Sequence, residues 1–162
     1  MHKTAVLFVC LGNICRSPAA EGTFRHLVKE AGLEHAFHID SCGTSAYHIG
    51  EPANARSRRT AARHGITLTS RARQLQLDDF QTFDHILAMD RSNLQDVLRM
   101  APAESRATIA LFRTFDPEAN PEKVPDVPDP YYGGDDGFEE VQQIMLRTSQ
   151  SFLRHIRGVV HE

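Results

Sequence analysis

The run Val6-Leu7-Phe8-Val9-Cys10 is continuously apolar and carries two β-branched valines. Such a run fits a strand buried on both faces, as in a parallel sheet. Ser17-Pro18 follows closely and has the residue types of a helix start, a serine at the cap and a proline in the first turn. Ala20, Phe24, Leu27, Val28 and Ala31 then recur along one helical face, which Gly32 ends. Further on, the pattern predicts a strand over 37–42 bounded by Gly43, and a basic helix over 53–64 stopped by Gly65. It also predicts a third strand over 85–89, a helix over 92–100 ending near Pro102, and a fourth strand over 108–112. A proline-rich loop spans about 115–134. The final helix, over 136–157, keeps Phe138, Val141, Met145, Phe152 and Ile156 on one face.

Strand and helix alternate throughout. That pattern predicts an α/β fold, a parallel sheet with helices on both faces, whose ligands sit at the carboxyl ends of strands. At 162 residues the chain is expected to form a single domain, 1–162, with a core that needs no metal or disulfide staple. A net charge of −3 argues against a general nucleic-acid binder, and no apolar run is long enough to span a membrane. The apolar stretch at the N-terminus is short for a signal peptide and no A-x-A site follows it, so a cytoplasmic protein with reduced thiols is expected. Three cysteines do not make a disulfide framework.

The chemistry concentrates immediately after the first predicted strand, in Cys10-Leu11-Gly12-Asn13-Ile14-Cys15-Arg16-Ser17. Gly12 and Asn13 tolerate left-handed backbone angles, which lets successive amides turn inward around an anion. The following helix adds the positive end of its dipole, and Arg16 a planar fork for two oxygens of one phosphate. The same field favours a thiolate at Cys10, with Ser17 able to donate to the sulfur. A thiolate beneath a bound phosphorus implies covalent catalysis through a cysteinyl phosphate. Departure of the leaving group needs a proton, and Asp129, stiffened between Pro128 and Pro130, is the candidate source. From pattern alone Asp129 reads equally as a turn aspartate, because Asp-Pro is a common turn signal. Tyr131 and Tyr132 follow and could wall an aromatic substrate.

These residues resemble a known family. The stretch VLFVCLGNICRSPA, residues 6–19, is similar to the low-molecular-weight protein tyrosine phosphatases. Asp40-Ser41 with Thr44-Ser45, Ala72-Arg73-Gln74, Met89-Asp90 with Ser92-Asn93, and Asp129-Pro130-Tyr131-Tyr132 look like the same family in the same order. The resemblance implies a four-stranded parallel sheet with the phosphate-binding loop after its first strand. It implies Cys10 as nucleophile, Arg16 as phosphate clamp and Asp129 as general acid and base; the sequence has no zinc set, calcium loop, Walker loop or dinucleotide fingerprint, so no cofactor and no metal are expected. It further implies that Asn13, Ser17 and Ser41 brace the loop, which also comprises Gly12 and Cys15, and that Leu11 and Ile14 form apolar sides of the cup. Tyr131 and Tyr132, with Tyr47 across the cleft, would form the rim. Many relatives carry a histidine before the Ala-Arg-Gln stretch, where this chain has Ser70. Expected partners are phosphotyrosine-containing proteins, a tyrosine kinase being one candidate, with no nucleic acid and no membrane, and a monomeric or weakly self-associating chain.

Rival readings share the fold. Arsenate reductases of this kind need further cysteines to pass a disulfide along, and only Cys15 and Cys42 are available besides Cys10. Protein-arginine phosphatases of bacteria have a threonine at the place of Ile14, whose apolar side chain suits a phenyl ring. A non-catalytic phosphate-binding module would need neither Cys10 nor Asp129. Cys15 also offers Cys10 a disulfide partner under peroxide. The arginines at 56, 58, 59, 63, 71 and 73 read mainly as a solvated face. Nine scattered histidines form no zinc pattern.

Overall fold

The computed structural model describes residues 3–130 and 134–161, the side chains of 159–161 excepted. Four strands, β1 (Thr4–Cys10), β2 (Phe37–Gly43), β3 (His85–Ala88) and β4 (Thr108–Leu111), form one parallel sheet in the order β2-β1-β3-β4. The helices are α1 (Arg16–Glu30), α2 (Ala55–Arg63), α3 (Asp79–Thr82), α4 (Arg91–Met100) and α5 (Gly134–His161).

The alternation of side chains along β1 divides the core. Val6, Phe8 and Cys10 face one layer, where Phe24 and Val28 of α1 and Ile144, Met145 and Phe152 of α5 pack. Ala5, Leu7 and Val9 face the other, with Phe80, Phe83 and Val97. All three β1 residues from Val6 to Phe8 are fully buried, as the unbroken apolar run requires. Phe8 sits edge-on to both Phe24 and Phe112, with ring centroids 5.9 and 5.4 Å apart.

The chain leaves β1 toward β2 on one side and returns to β3 on the other. The loops after β1 and β3 therefore diverge, which opens a crevice at the carboxyl ends of those two strands. Cys10 ends β1, and Asp90 follows β3 closely.

Two sequence expectations are corrected and one element is new. Helix α1 begins at Arg16 with Cys15 at the N-cap position, so Ser17 lies inside the first turn and does not cap it. Helix α3 was not anticipated, because a four-residue helix is too short to show a period. The fourth strand stops at Leu111, and Phe112–Phe115 form a 3₁₀ turn that buries Phe112. Between that turn and Pro130 the proline-rich stretch contains turns but neither helix nor strand.

Candidate active site

The loop from Cys10 to Arg16 wraps around the carboxyl end of β1. Asn13 is the one described non-glycine residue in the left-handed region, at φ +58°. That conformation points its backbone N–H at Cys10 Sγ, 3.3 Å away. Its side chain then ties the loop down. Nδ2 donates to Ser17 Oγ at 2.8 Å and to Ser41 Oγ at 2.9 Å, while Oδ1 accepts from the Arg73 N–H at 3.0 Å. Ser41 in turn donates to Glu21 Oε1 at 2.6 Å, and Arg25 holds the other oxygen of that buried carboxylate.

Ser17 Oγ lies 3.0 Å from Cys10 Sγ. Ser17 Oγ also accepts from Asn13 Nδ2 and lies 3.4 Å from the Cys42 carbonyl oxygen, so the hydroxyl can donate to Cys10 Sγ when the sulfur is a thiolate and accept from it when it is a thiol. The Asn13 N–H is a fixed donor to the sulfur and the Ser17 hydroxyl a second one for a thiolate, a pair that would stabilise negative charge there.

Arg16 is buried and aimed from behind. Its Nη1 donates to Asp90 Oδ2 at 2.8 Å and to the Val127 carbonyl at 3.1 Å. The other oxygen of Asp90, Oδ1, accepts from the Asn93 N–H at 2.7 Å and caps α4. One carboxylate therefore fixes both a helix start and the guanidinium. The Val127 N–H donates to the Met89 carbonyl at 2.7 Å, which draws the proline-rich loop to the end of β3 and brings Asp129 to the crevice.

The resulting pocket is lined by Cys10, Leu11, Gly12, Ile14, Cys15 and Arg16 from the loop, by Tyr47 and His48 from the facing segment, and by Asp129. Tyr47 is 79% exposed and stands as a wall at the mouth, beside the exposed Leu11. A Cβ at Gly12 would lie 2.9 Å from Cδ2 of the His48 ring, which would have to shift, and Gly12 does not adopt the left-handed angle that the sequence allowed for it; Asn13 alone does so in this loop. Ser17, Asn13 and Ser41 do not line the pocket but support it from below. Tyr131 and Tyr132 lie outside the described residues. Ser70 takes no part in the bonds around Asn13, whose Oδ1 is satisfied by the Arg73 backbone.

Cys42 faces away from this pocket. It packs with Val9, Leu75 and Phe80 on the opposite side of the sheet from Cys10, and burial pushes its thiol well above the ordinary range. Sequence reasoning missed the anchoring roles of Asp90, Glu21 and Arg73 and the lining residue His48. The signal for Asp90 was present, since Asp-x-Ser-Asn ahead of an apolar period is a helix cap. Among the described residues no group of three or more His, Cys, Asp or Glu is placed to hold a metal, and no helix is long and apolar enough to cross a membrane.

Known proteins share this fold over nearly the whole chain. The sequence profile of low molecular weight phosphotyrosine protein phosphatases matches residues 5–160. The low molecular weight phosphotyrosine protein phosphatase of Schizosaccharomyces pombe is 48% identical over 152 residues, covering 93% of this chain and 96% of its own. The crystal structure of a protein tyrosine phosphatase from Entamoeba histolytica, with Hepes in its active site, superposes with a TM-score of 0.88 at 35% identity, covering 96% of this chain and 98% of the other. A Drosophila arginine phosphatase superposes with a TM-score of 0.85 at 34% identity over 93% of this chain and 96% of its own. A match over nearly the whole length, on a chain whose cysteine loop and sheet order are those described above, assigns this protein to the low molecular weight phosphotyrosine protein phosphatase family.

Proposed function

We propose that the chain hydrolyses phosphotyrosine in proteins through a phosphocysteine at Cys10. The observation that carries this reading is the shared pocket of Cys10, Arg16 and Asp129. The phosphate enters the loop, where the Arg16 guanidinium and the amides at the start of α1 offset its charge. The Cys10 sulfur attacks phosphorus in line with the phenolic oxygen. The P–O bond breaks as Asp129 delivers its proton to the departing phenolate. In the second step the Asp129 carboxylate takes a proton from water, the oxygen attacks phosphorus, and the S–P bond breaks. Inorganic phosphate leaves and the thiolate returns, stabilised by Ser17 and the Asn13 N–H.

The charge that a metal often supplies in phosphoryl transfer comes here from Arg16 and the loop amides, so the reaction is read as metal-independent. Ile14, Leu11 and Tyr47 offer apolar surface to a phenyl ring. The substrates are read as phosphotyrosine-containing proteins of the cytoplasm, a tyrosine kinase among the candidates, met by a monomer or weakly self-associating chain. A phosphoarginine substrate is the second reading, favoured by the likeness to the Drosophila arginine phosphatase.

The test is release of inorganic phosphate from phosphotyrosine, phosphoserine and phosphoarginine peptides without added metal. Turnover of the phosphotyrosine peptide, abolished by Cys10→Ser, is expected. Preference for phosphoarginine would keep the mechanism and replace the substrate, and turnover by Cys10→Ser would remove the mechanism.

A further inference from the structure

Three partners hold the Asn13 side chain, and they differ in kind. Ser17 stands on α1 and Ser41 on β2. The third, the Arg73 N–H, belongs to a segment that is neither helix nor strand. That segment meets the sheet at Gly43, whose N–H donates to the Arg73 carbonyl and whose carbonyl accepts from the Leu75 N–H, each at 2.8 Å. Gly43 is also where the sheet touches the phosphate loop: a Cβ there would lie 2.6 Å from the Leu11 carbonyl oxygen and 3.1 Å from the Asn13 nitrogen. A small shift of the 71–75 segment would therefore reach Asn13 directly.

The Arg73 side chain fixes that segment. Its Nε donates to Asp40 Oδ2 at 2.9 Å, while Nη1 and Nη2 grip the two oxygens of Asp79 at 3.0 and 3.1 Å. The second contact is the paired fork geometry that a lysine cannot reproduce. Asp79 begins α3 and also accepts from the Gln76 N–H at 2.8 Å. Asp40 adjoins Ser41 and accepts its N–H at 2.8 Å. Burial works against the charge on Arg73, yet its bonds to Asp79 and the fields of Asp40 and Asp79 keep it protonated. One side chain thus joins β2 to α3 directly beneath the loop.

We propose that Arg73 is a positioning residue for the nucleophile: its grip on Asp40 and Asp79 fixes the N–H that orients Asn13, and through Asn13 the donor facing Cys10 Sγ. The proposal rests on the reading of Cys10 as nucleophile. Arg73 touches no substrate and sets the geometry of the loop from outside the pocket.

The experiment compares Arg73→Ala, Arg73→Lys and Asp79→Asn with the parent, each well below its own melting midpoint. Two quantities are read: kcat and KM on a phosphotyrosine peptide, and the rate of Cys10 alkylation by iodoacetate at neutral pH, located by peptide mass. Arg73→Ala is expected to lower kcat by roughly 10–100-fold with little change in KM, and to slow alkylation of Cys10. Arg73→Lys is expected to lie between it and the parent. A native circular-dichroism spectrum with parental kcat and alkylation rate would overturn the proposal, as would a lower melting temperature alone. Should Arg73→Ala not fold, Asp79→Asn releases only one arm of the grip and is judged on the same two readings. Turnover by Cys10→Ser would mark failure of the underlying mechanism, whereas alkylation reports on the sulfur without reference to turnover.

Discussion

Ser17 stands in the first turn of α1, where a hydroxyl ordinarily satisfies the helix amides, and instead aims at sulfur 3.0 Å away. No side-chain hydrogen bond caps this helix start among the described residues; Pro18 has no N–H and the Ala19 N–H donates to the Cys15 carbonyl, so the first-turn amides left to face an anion are those of Arg16 and Ser17. Asp90 likewise serves two partners, its oxygens divided between a helix cap and Arg16. Asp129 has the plainest experimental signature at this scale. Asp129→Asn cannot deliver a proton, so phenolic esters with poor leaving groups should slow by about 10²–10⁴-fold and activated aryl phosphates much less. A leaving-group series in steady state measures this, and equal losses across the series would remove Asp129 as the acid.

At the scale of elements, the stretch that carries Asp129 lacks regular structure and depends on ties to its neighbours. Arg91, at the start of α4, donates to Asp126 Oδ1 and to the Val124 carbonyl, and Arg113 donates to the Asp126 carbonyl. Arg113 is itself held by Asp116, which also binds Arg147 of α5 and the Glu118 N–H. The Asp116 side chain has no exposed surface. Burial alone would raise its pKa, but the bonds from Arg147, Glu118 and Arg113 outweigh burial and leave the carboxyl below its ordinary value. The unfolded chain therefore binds this proton more readily than the folded one. The stabilisation is complete above the ordinary carboxylate pKa, about 4, and is lost as pH falls through the lower folded value. Asp116→Asn should cost about 1.5–3 kcal/mol at neutral pH, and the difference should shrink below about pH 4. Urea unfolding of parent and variant across that range tests it, and a pH-independent difference would contradict the assignment.

For the molecule as a whole, the sequence was informative where information is local. The apolar run of β1, the left-handed turn at Asn13 and the period of α5 are each contained in a short window, and each stands where its pattern puts it, whereas Gly12 beside Asn13 keeps an ordinary backbone angle. Pairings across the fold were not legible. Arg16 and Asp90 are separated by 74 positions and Asn13 and Arg73 by 60, and no periodicity joins such residues before the sheet order does. Local pattern offered Ser17 both as a helix cap and as a partner of the sulfur, because both roles draw on the same residue type; the fold alone decides between them, and it discards the cap. The crevice between β1 and β3 is a consequence of topology: it brings Asp129 from a distant part of the chain to the pocket of the loop that carries Cys10 and Arg16.

The central claim is that the phosphoryl group passes through Cys10. It is tested most directly by acid-quenching the Asp129→Asn variant during turnover of an activated aryl phosphate and weighing its peptides. Loss of the base slows hydrolysis of the intermediate, so the account predicts one phosphoryl group on the Cys10 peptide, absent from the Cys10→Ser protein. Continued release of phosphate with an unmodified Cys10 peptide, or a phosphoryl group on another residue, would contradict it.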